Sequence, residues 1–248
     1  MFNPMDLSNK RILITGASSG IGRATAIYLS KLGAKTVLLA RNEDRLNDTI
    51  IQLENDGHMY IVADLAESED MTHIFDKSVE NGTKLSGLVH SAGFSQVIPI
   101  NMLTKDRMQK EMNINYFSFI ELVRQFSKKK YNQGGSIVGV SSIAADKAEQ
   151  CQTNYSASKA AMNIAAQALS LELAKKQIRI NTVMPGAVYT SMAMHMEESG
   201  IDMSEIEKLQ LLGMGKAEQV ASVIAFLLSD MSSFITGRNV FADGGRFL

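Results

Sequence analysis

The chain has 248 residues, a mass of 27.1 kDa and a formal net charge of −1, which fits one large domain whose core needs no disulfide staples. Its 45% hydrophobic and 21% charged residues argue against a nucleic-acid-binding surface or a disordered tail. The single cysteine, Cys151, has no partner for an intrachain disulfide, and neither an apolar run of about 18 residues nor a basic-then-apolar leader is visible. We therefore expect a cytoplasmic protein with no membrane or nucleic-acid partner.

Seven apolar runs bounded by glycine or polar residues predict strands. They lie at 11–15, 36–40, 59–63, 87–90, 136–140, 179–183 and 239–241. Segments with helical spacing lie between them, at 21–32, 45–54, 71–79, 105–129, 155–175 and 217–228. Because strand–helix alternation implies parallel pairing, the predicted fold class is α/β. We expect a single domain over 1–248, a Rossmann-type doubly wound sheet of about seven strands with helices on both faces.

The stretch 191–215 fits this alternation least well. It follows a strand and carries four methionines without a strand pattern: Met192, Met194, Met196 and Met203. Because methionine adapts to irregular apolar surfaces, the sequence predicts a mobile substrate lid at 191–215 over a largely apolar pocket. The alternative is that these methionines only fill gaps in the core.

The first predicted strand, "RILIT", leads into "GASSGIGRATAIYLSKLG", which places Gly16, Gly20 and Gly22 at a turn and at the start of a helix. Glycine allows close approach of the backbone to a pyrophosphate, and free N–H groups at a helix N-terminus attract its negative charge. The position of the glycines between a strand and a helix therefore predicts a dinucleotide site. Ordinary turn and packing glycines are the alternative.

The second predicted strand ends at Ala40 and is followed by Arg41. In NAD-binding folds an acidic residue at this strand end binds the ribose hydroxyls, whereas a nearby arginine accommodates a 2′-phosphate. The sequence therefore favours NADP(H) over NAD(H), with a solvated loop arginine as the alternative. Asp64, after the third strand, either accepts a bond from the adenine amino group or caps the next segment.

Tyr155 and Lys159 lie four residues apart in "NYSASKAAMN", which predicts a helix with both side chains on one face. A phenol with a pKa of about 10 exchanges protons poorly at neutral pH, but a neighbouring ammonium stabilises the phenolate and lowers that pKa. Tyr155 would then exchange a proton with a substrate oxygen. A bare Y-x-x-x-K pair is common by chance, so the hypothesis depends on the rest of the chain.

Further motifs follow one another in a recognisable order: "TGASSGIG" at 15–22, "AR" at 40–41, Asp64, "HSAG" at 90–93, "NINYF" around Asn115, "VSS" ending at Ser142, "YSASK" at 155–159, "PGAVYT" at 185–190 and "ITGRNVFADGG" near the end. With these motifs the chain resembles the short-chain dehydrogenase/reductase family over nearly its whole length. Among its members it looks most like the 3-oxoacyl-(acyl-carrier-protein) reductases. Ser142 lies 13 residues before Tyr155, the spacing that this family uses.

The resemblance implies a catalytic set of Asn115, Ser142, Tyr155 and Lys159. Ser142 would hydrogen-bond the substrate carbonyl oxygen, and Tyr155 would donate the proton as the nicotinamide delivers hydride. Lys159 would bind the nicotinamide-ribose hydroxyls, and Asn115 would hold a water that links the lysine to solvent. The alternatives are an ordinary strand-end hydroxyl, a core tyrosine, a solvated helix lysine and a helix-kink asparagine.

The resemblance also implies a cofactor-binding set: Gly16, Ser18, Ser19, Gly20, Ile21, Gly22, Arg41, Asp64, Leu65, Ser91, Ala92, Gly93, Tyr155, Lys159, Pro185, Gly186, Val188 and Thr190. Val188 and Thr190 would lie near the nicotinamide carboxamide. His90 and Ser91 replace the two asparagines of the family's "NNAG", which puts only local hydrogen bonds in doubt. Four scattered histidines and one cysteine offer no ligand spacing, so no metal site is predicted.

The leading hypothesis is an oxidoreductase that transfers hydride between NADP(H) and a carbonyl or secondary alcohol, either a 3-oxoacyl thioester or a sugar, steroid-like or other small ketone. Nucleotide-sugar epimerases are disfavoured because they usually space their glycines G-x-x-G-x-x-G and run longer than 248 residues. Enoyl reductases typically place six residues, rather than three, between tyrosine and lysine. A non-catalytic NADP-binding sensor would be expected to lack part of the catalytic set, whereas this chain has all four residues.

Two partner predictions remain. Segments 105–129 and 155–175 carry broad small and apolar faces, which in the resembling family pack between subunits, so we expect a homotetramer. Those 3-oxoacyl reductases also dock an acidic acyl carrier protein on basic residues, and Lys130 and Lys176 fall near the matching places. The alternative is that both are ordinary lysines at helix C-termini.

Overall fold

Parallel strands form the centre of the computed structural model, which describes residues 3–66, 71–198 and 202–247. The strands are β1 (Arg11–Thr15), β2 (Lys35–Ala40), β3 (Met59–Val62), β4 (Leu85–His90), β5 (Asn132–Val140), β6 (Ile178–Pro185), β7 (Val188–Tyr189), β8 (Gly215–Lys216) and β9 (Asn239–Ala242). Seven of them form one sheet in the order β3-β2-β1-β4-β5-β6-β9, and every pair in it is parallel. The strand order reverses beside β1, where β2 and β4 flank it, and such a switch point forms a ligand crevice at the carboxyl ends of the strands.

Helices cover both faces of this sheet. The α-helices are α1 (Gly20–Lys31), α2 (Glu43–Ile50), α3 (Thr72–Ser78), α4 (Lys105–Met112), α5 (Ser118–Phe126), α6 (Thr153–Leu173), α7 (Ser191–Glu198), α8 (Met203–Lys208) and α9 (Ala217–Leu228), and a π-helical segment (Asn113–Phe117) joins α4 to α5. Short 3-10 turns lie at Ile100–Met102, Ile143–Ala145, Ala174–Lys176 and Asp230–Ser232.

Two hydrophobic cores hold the layers together, one on each face. The first joins the sheet to α3, α5 and α6 through side chains such as Phe75, Phe119 and Met162. The second joins it to α1 and α9 through side chains such as Leu29 and Ile224. Strands buried on both faces appear in a sequence as continuous apolar runs, which is why the α/β class was predictable and is confirmed.

The element boundaries differ from the prediction where local hydrogen bonds decide them. The expected helix at 45–54 begins earlier, at Glu43, because the Asn42 side chain accepts a bond from the Arg45 N–H at 2.8 Å and caps it. The helix expected over 105–129 is present, but it ends at Phe126 and contains a π-helical turn in its middle. That segment divides into α4, the π-helical turn and α5, and Asn115 lies inside the turn.

The segment predicted as a lid contains α7 and α8, while residues 199–201 lie outside the described part. Its ends are tied by the short β7–β8 pair and by Gln210. The Gln210 amide donates to the carbonyls of Ala187 and Gly213 at 3.1 and 2.7 Å, and its oxygen accepts from the Ala187 N–H. Motion of this segment stays a prediction. Among the described residues, no helix is both long and apolar enough to cross a bilayer.

Candidate active site

A cavity of about 840 Å³ opens at the carboxyl ends of the strands, beside the switch point. All the predicted catalytic and cofactor-binding residues line it except Gly22 and Asn115. Those two are buried and lie against lining residues, Gly22 against Gly16 and Asn115 against Phe94. The structure therefore brings residues from 16 to 190 into one site, while their individual roles stay predictions.

The glycine-rich turn after β1 has the shape of an anion cradle. Gly16 has φ +66°, and a Cβ there would lie 2.8 Å from the Ala92 nitrogen, so any side chain would push β1 and the 91–93 segment apart. A Cβ on Gly22 would collide with the Gly16 carbonyl oxygen. The Ser19 side chain makes no capping bond to α1, whose first turn contains no acidic residue. Because Ser19, Gly20 and Ile21 line the cavity, the N–H groups of this first turn fit a pyrophosphate.

The end of the cavity beside β2 carries positive charge. Arg41 is 70% exposed, and its Nη1 lies 3.5 Å from Oδ2 of Asp64. Asp64 also accepts the Ala66 N–H at 2.9 Å, as the capping alternative proposed. Arg45, which belongs to none of the motifs, lines the same end. A ligand phosphate here would meet two guanidinium groups and no acid at position 40.

Hydrogen bonds of His90 link the end of β1 to the π-helical turn. Thr15 Oγ1 accepts the N–H groups of Ser91 and Ala92 at 3.1 and 3.0 Å. It lies 3.1 Å from His90 Nδ1, and His90 Nε2 lies 3.2 Å from the Ile114 carbonyl oxygen. A carbonyl only accepts, so Nε2 carries the proton and Nδ1 accepts from Thr15. Burial lowers the pKa of His90 to about 3, and the ring is therefore neutral.

Asn115 holds the π-helical turn against two other elements. Its Oδ1 accepts the Phe94 N–H at 2.9 Å, while its Nδ2 donates at 2.9 Å to both the Phe94 carbonyl and Ser158 Oγ. These bonds use both amide N–H groups and one of the two acceptor positions of the oxygen, which accounts for an asparagine with no exposed surface. Asn115 therefore links the π-helical turn to α6 and to the 94–98 segment at once.

Tyr155 and Lys159 lie on the cavity side of α6, with Ser142 opposite them. Ser142 caps the 3-10 turn after β5 by accepting the Ala144 N–H at 3.1 Å. Lys159 Nζ donates to the Val140 carbonyl at 2.8 Å and lies 5.8 Å from the centre of the Tyr155 ring. A Cβ on Gly93 would lie 3.3 Å from that Nζ, so the glycine leaves room for the ammonium.

The electrostatics of this pair differ from the sequence prediction. Burial raises the pKa of Tyr155 to about 12, and hydrogen bonding with Ser142 only partly opposes it. Burial also lowers the pKa of Lys159 to about 8. The lowering of the tyrosine pKa by the lysine is therefore not seen here. The phenol is protonated at neutral pH, which suits a proton donor.

Comparison with known proteins agrees with this geometry. The sequence model of a family described as enoyl-(acyl carrier protein) reductase matches residues 16–246. The chain is 35% identical to the 3-oxoacyl-(acyl-carrier-protein) reductase FabG of Rickettsia conorii, covering 98% of this chain and 99% of that protein. The chain belongs to the short-chain dehydrogenase/reductase family. It is accordingly an oxidoreductase that acts between a carbonyl and an alcohol with a nicotinamide cofactor.

Two further relatives show the breadth of this family. The chain is 30% identical to an L-rhamnose 1-dehydrogenase (NAD(P)(+)) of a Sphingomonas species, with 98% of each covered. It also superimposes with a TM-score of 0.91 and 30% identity on a short-chain dehydrogenase/reductase of Brucella melitensis described as a glucose/ribitol dehydrogenase, again over 98% of each chain. The resemblance found in the motifs is thus confirmed, and the substrates named by these relatives differ.

Several residues of this short-chain dehydrogenase/reductase site carried no motif and were missed. Arg246 is 7% exposed, pairs with Glu149, and donates to the Ile206 carbonyl of α8 at 3.1 Å. The cavity wall beside the predicted lid, 191–215, includes Arg246, Glu149, Ile206 and Gln152. Glu111 is 2% exposed behind the wall. Glu111 could have been found from the sequence, because it is a charged residue on the inner face of a predicted helix. No spacing rule links Arg246 to Glu149.

Among the described residues, no three His, Cys, Asp or Glu side chains are grouped so that they could hold a metal ion.

Proposed function

We propose that this protein is an NADPH-dependent reductase that converts the ketone of a 3-oxoacyl thioester to a secondary alcohol. The observation that carries the proposal is the convergence of Tyr155, Ser142 and Lys159 on the cavity that also contains the glycine-rich turn. The similarity to a 3-oxoacyl-(acyl-carrier-protein) reductase over 98% of the chain supports this substrate class. The separation of Tyr155 and Lys159 by three residues supports carbonyl rather than enoyl reduction.

The cofactor would supply the hydride when bound, and the protein's own groups would do the rest. The first turn of α1 would hold the pyrophosphate, with Gly16 permitting the close approach. Ser142 would donate a hydrogen bond to the substrate carbonyl oxygen and fix it beside the phenol of Tyr155. The phenol would then give its proton to that oxygen as negative charge develops there.

Lys159 completes this arrangement. Its ammonium already donates to Val140, which leaves two further N–H donors for ribose hydroxyls. An ammonium beside the phenol also stabilises the phenolate left after proton transfer. We infer that the lysine lowers the cost of proton loss during reduction, although burial governs the resting pKa of Tyr155.

A panel of carbonyl substrates tests the proposed function. With NADPH, wild-type protein is expected to reduce short 3-oxoacyl thioesters with a higher kcat/KM than aldoses, pentuloses or simple ketones. The apolar side chains Met192, Met203 and Ile206 on the lid side of the cavity would receive the acyl chain. Oxidation of NADPH is followed spectroscopically. A clear preference for a sugar would transfer the proposal to the activity class of the rhamnose relative, whereas no turnover of any carbonyl would refute it.

We propose that the protein assembles as a homotetramer through two apolar surfaces. On α6, Ile164 and Leu171 lie seven residues apart on one face and are 64% and 79% exposed. Near the edge strand β9, Phe234 is fully exposed. The ring centres of Phe241 and Phe247 lie 4.9 Å apart. Exposed apolar patches of this kind mark interaction sites, and two of them allow two sets of two-fold contacts.

Light scattering of the purified protein is expected to report four copies of the 27.1 kDa chain. Ile164→Glu with Leu171→Glu should reduce the particle to a dimer, because burying two carboxylates opposes association. The control is Ile51→Glu, an exposed apolar position directly after α2 and outside both surfaces, which should leave the tetramer intact. A wild-type particle of one chain's mass would refute the assembly.

Carrier-protein docking on Lys130 and Lys176 stays a prediction, and the positions of these lysines limit which cavity a docked carrier could reach. These lysines lie just before β5 and β6, at the amino ends of strands whose carboxyl ends form the cavity. Lys130 pairs with Asp76 at 2.5 Å, and Lys176 donates to the Ser127 carbonyl at 3.2 Å. At about 3.3 Å per residue, each strand separates its lysine from its own cavity, so docking there requires a neighbouring subunit.

A further inference from the structure

A buried carboxylate that the mechanism above does not use lies between α6 and the cavity wall. Glu111, in the last turn of α4, is 2% exposed. Its Oε1 accepts the backbone N–H of Gln96 at 3.2 Å, and its Oε2 accepts from Nδ2 of Asn154 at 2.5 Å. Burial of a carboxylate is costly unless hydrogen bonds compensate it. Both oxygens have such a partner here.

The bond to Gln96 fixes one wall of the site. Along the segment 94–98, alternate backbone N–H groups are held by different elements: Phe94 by Asn115, Gln96 by Glu111 and Ile98 by the Cys151 carbonyl. Phe94 and Ser95 from this segment line the cavity. Glu111 therefore holds the middle of a wall against which substrate would lie.

The bond to Asn154 fixes the other side. Asn154 directly precedes Tyr155 on α6, and its Nδ2 also donates to the Met108 carbonyl of α4 at 3.2 Å. Four residues after Glu111, Asn115 makes a second link to α6 through Ser158. The two side chains together tie α4 and its π-helical turn to the helix that carries the phenol.

The charge of Glu111 also acts on the reacting pair. Burial dominates both values, raising the pKa of Tyr155 and lowering the pKa of Lys159, and the Glu111 carboxylate acts upward on each. Burial also raises the pKa of Glu111 itself. Glu149, on the loop before α6, acts on Tyr155 in the same direction. His90 on β4 contributes no charge, because its pKa is about 3.

We propose that Glu111 is a positioning residue for carbonyl reduction: it fixes the 94–96 wall relative to α6 and supplies the negative charge that faces Tyr155 and Lys159. The inference rests on the proposed function, since it assigns the carboxylate to the same reaction. A merely structural residue would affect stability and turnover without changing the titration of the phenol.

Glu111→Gln removes the charge and keeps the shape, so it tests the electrostatic part. In wild type the Glu111 carboxylate repels the phenolate of Tyr155 and attracts the ammonium of Lys159. The glutamine amide carries no charge, so both effects are lost. Tyr155 and Lys159 then both lose their protons at lower pH. The alkaline limb of kcat/KM for reduction is expected to move to lower pH. The control, Glu172→Gln, removes a charge from an exposed position of α6 and should leave the limb in place.

Glu111→Ala also removes the anchor of Gln96, and a misplaced wall of this kind is expected to lower kcat about 10- to 100-fold. Circular dichroism checks that the variant is folded. If the alanine variant does not fold, the glutamine variant still decides. An alkaline limb that stays at the wild-type pH in Glu111→Gln would overturn the proposal.

A measurement without turnover separates this inference from the proposed function. In protein labelled with carbon-13 at the tyrosine phenol carbon, the Tyr155 resonance is identified by its loss in Tyr155→Phe. Its ionisation should begin at lower pH in Glu111→Gln than in wild type or Glu172→Gln. If wild type reduces no carbonyl, the proposed function fails while this titration still tests the carboxylate. Identical titrations in all three proteins would overturn the inference.

Discussion

Tyr155→Phe is expected to lower turnover about 10²–10⁴-fold, the usual contribution of a general acid. Phenylalanine keeps the ring but has no proton to give to the substrate oxygen. NADPH should still bind, because the glycine-rich turn, the first turn of α1 and Arg41 are unchanged and phenylalanine keeps the ring that lines the same cavity. The measurement is kcat for the best substrate of the panel, with the NADPH dissociation constant determined in parallel by cofactor fluorescence.

The matched control is Tyr189→Phe, which removes a phenol oxygen from a residue that is 61% exposed on β7. This substitution should reduce turnover little, since Tyr189 is not one of the described residues that line the cavity. Wild-type turnover by Tyr155→Phe on any substrate would end the proton-transfer mechanism. Loss of both turnover and NADPH binding would instead show damage to the site.

Wild-type protein is expected to prefer NADPH over NADH by at least about tenfold in kcat/KM. A charge-assisted hydrogen bond from Arg41 to the 2′-phosphate is worth roughly 1.5–3 kcal/mol, or about ten- to a hundredfold in affinity. Ala40, 8% exposed at the end of β2, offers no carboxylate to the ribose hydroxyls of NADH. Within the described part of the chain Arg41 makes a long contact to Asp64, at 3.5 Å, which a phosphate would readily replace.

The double change Ala40→Asp with Arg41→Ala should move this preference towards NADH, because the new carboxylate repels a 2′-phosphate and accepts from a ribose hydroxyl. Both cofactors are titrated at one ionic strength, since salt screens such contacts. Arg238→Ala is the control: this exposed arginine precedes β9, at the opposite edge of the sheet. Equal or better use of NADH by wild type would refute the NADP(H) assignment and leave the proton transfer untouched.

The sheet and most of the site were predictable because their signals are local or lie in a fixed order. Buried parallel strands appear as apolar runs, and the glycines at 16, 20 and 22 follow the first of them directly. Tyr155 and Lys159 are neighbours on a helix by spacing alone. The carboxyl ends of parallel strands meet at one edge, so residues placed there converge whatever their separation in the chain.

Features that depend on pairing across the chain were missed. The π-helical turn inside the 105–129 helix contains Asn115, whose bonds to Phe94 and Ser158 no periodicity reveals. The pair of Arg246 with Glu149 joins residues 97 positions apart. The expected lowering of the tyrosine pKa is not seen for the same reason, because burial raises the pKa of Tyr155 and the carboxylates of Glu111 and Glu149 act in the same direction.

The most direct test of the account follows a single atom. Wild-type protein is incubated with NADPH deuterated at the reactive C4 position and with a 3-oxoacyl thioester, and separately with the matching 2-enoyl thioester. We expect one deuterium on the carbinol carbon of a 3-hydroxyacyl product, no reduction of the enoyl substrate, and loss of the label transfer in Tyr155→Phe. Deuterium on a carbon of the reduced double bond, or cofactor oxidation without label in an alcohol product, would contradict this expectation.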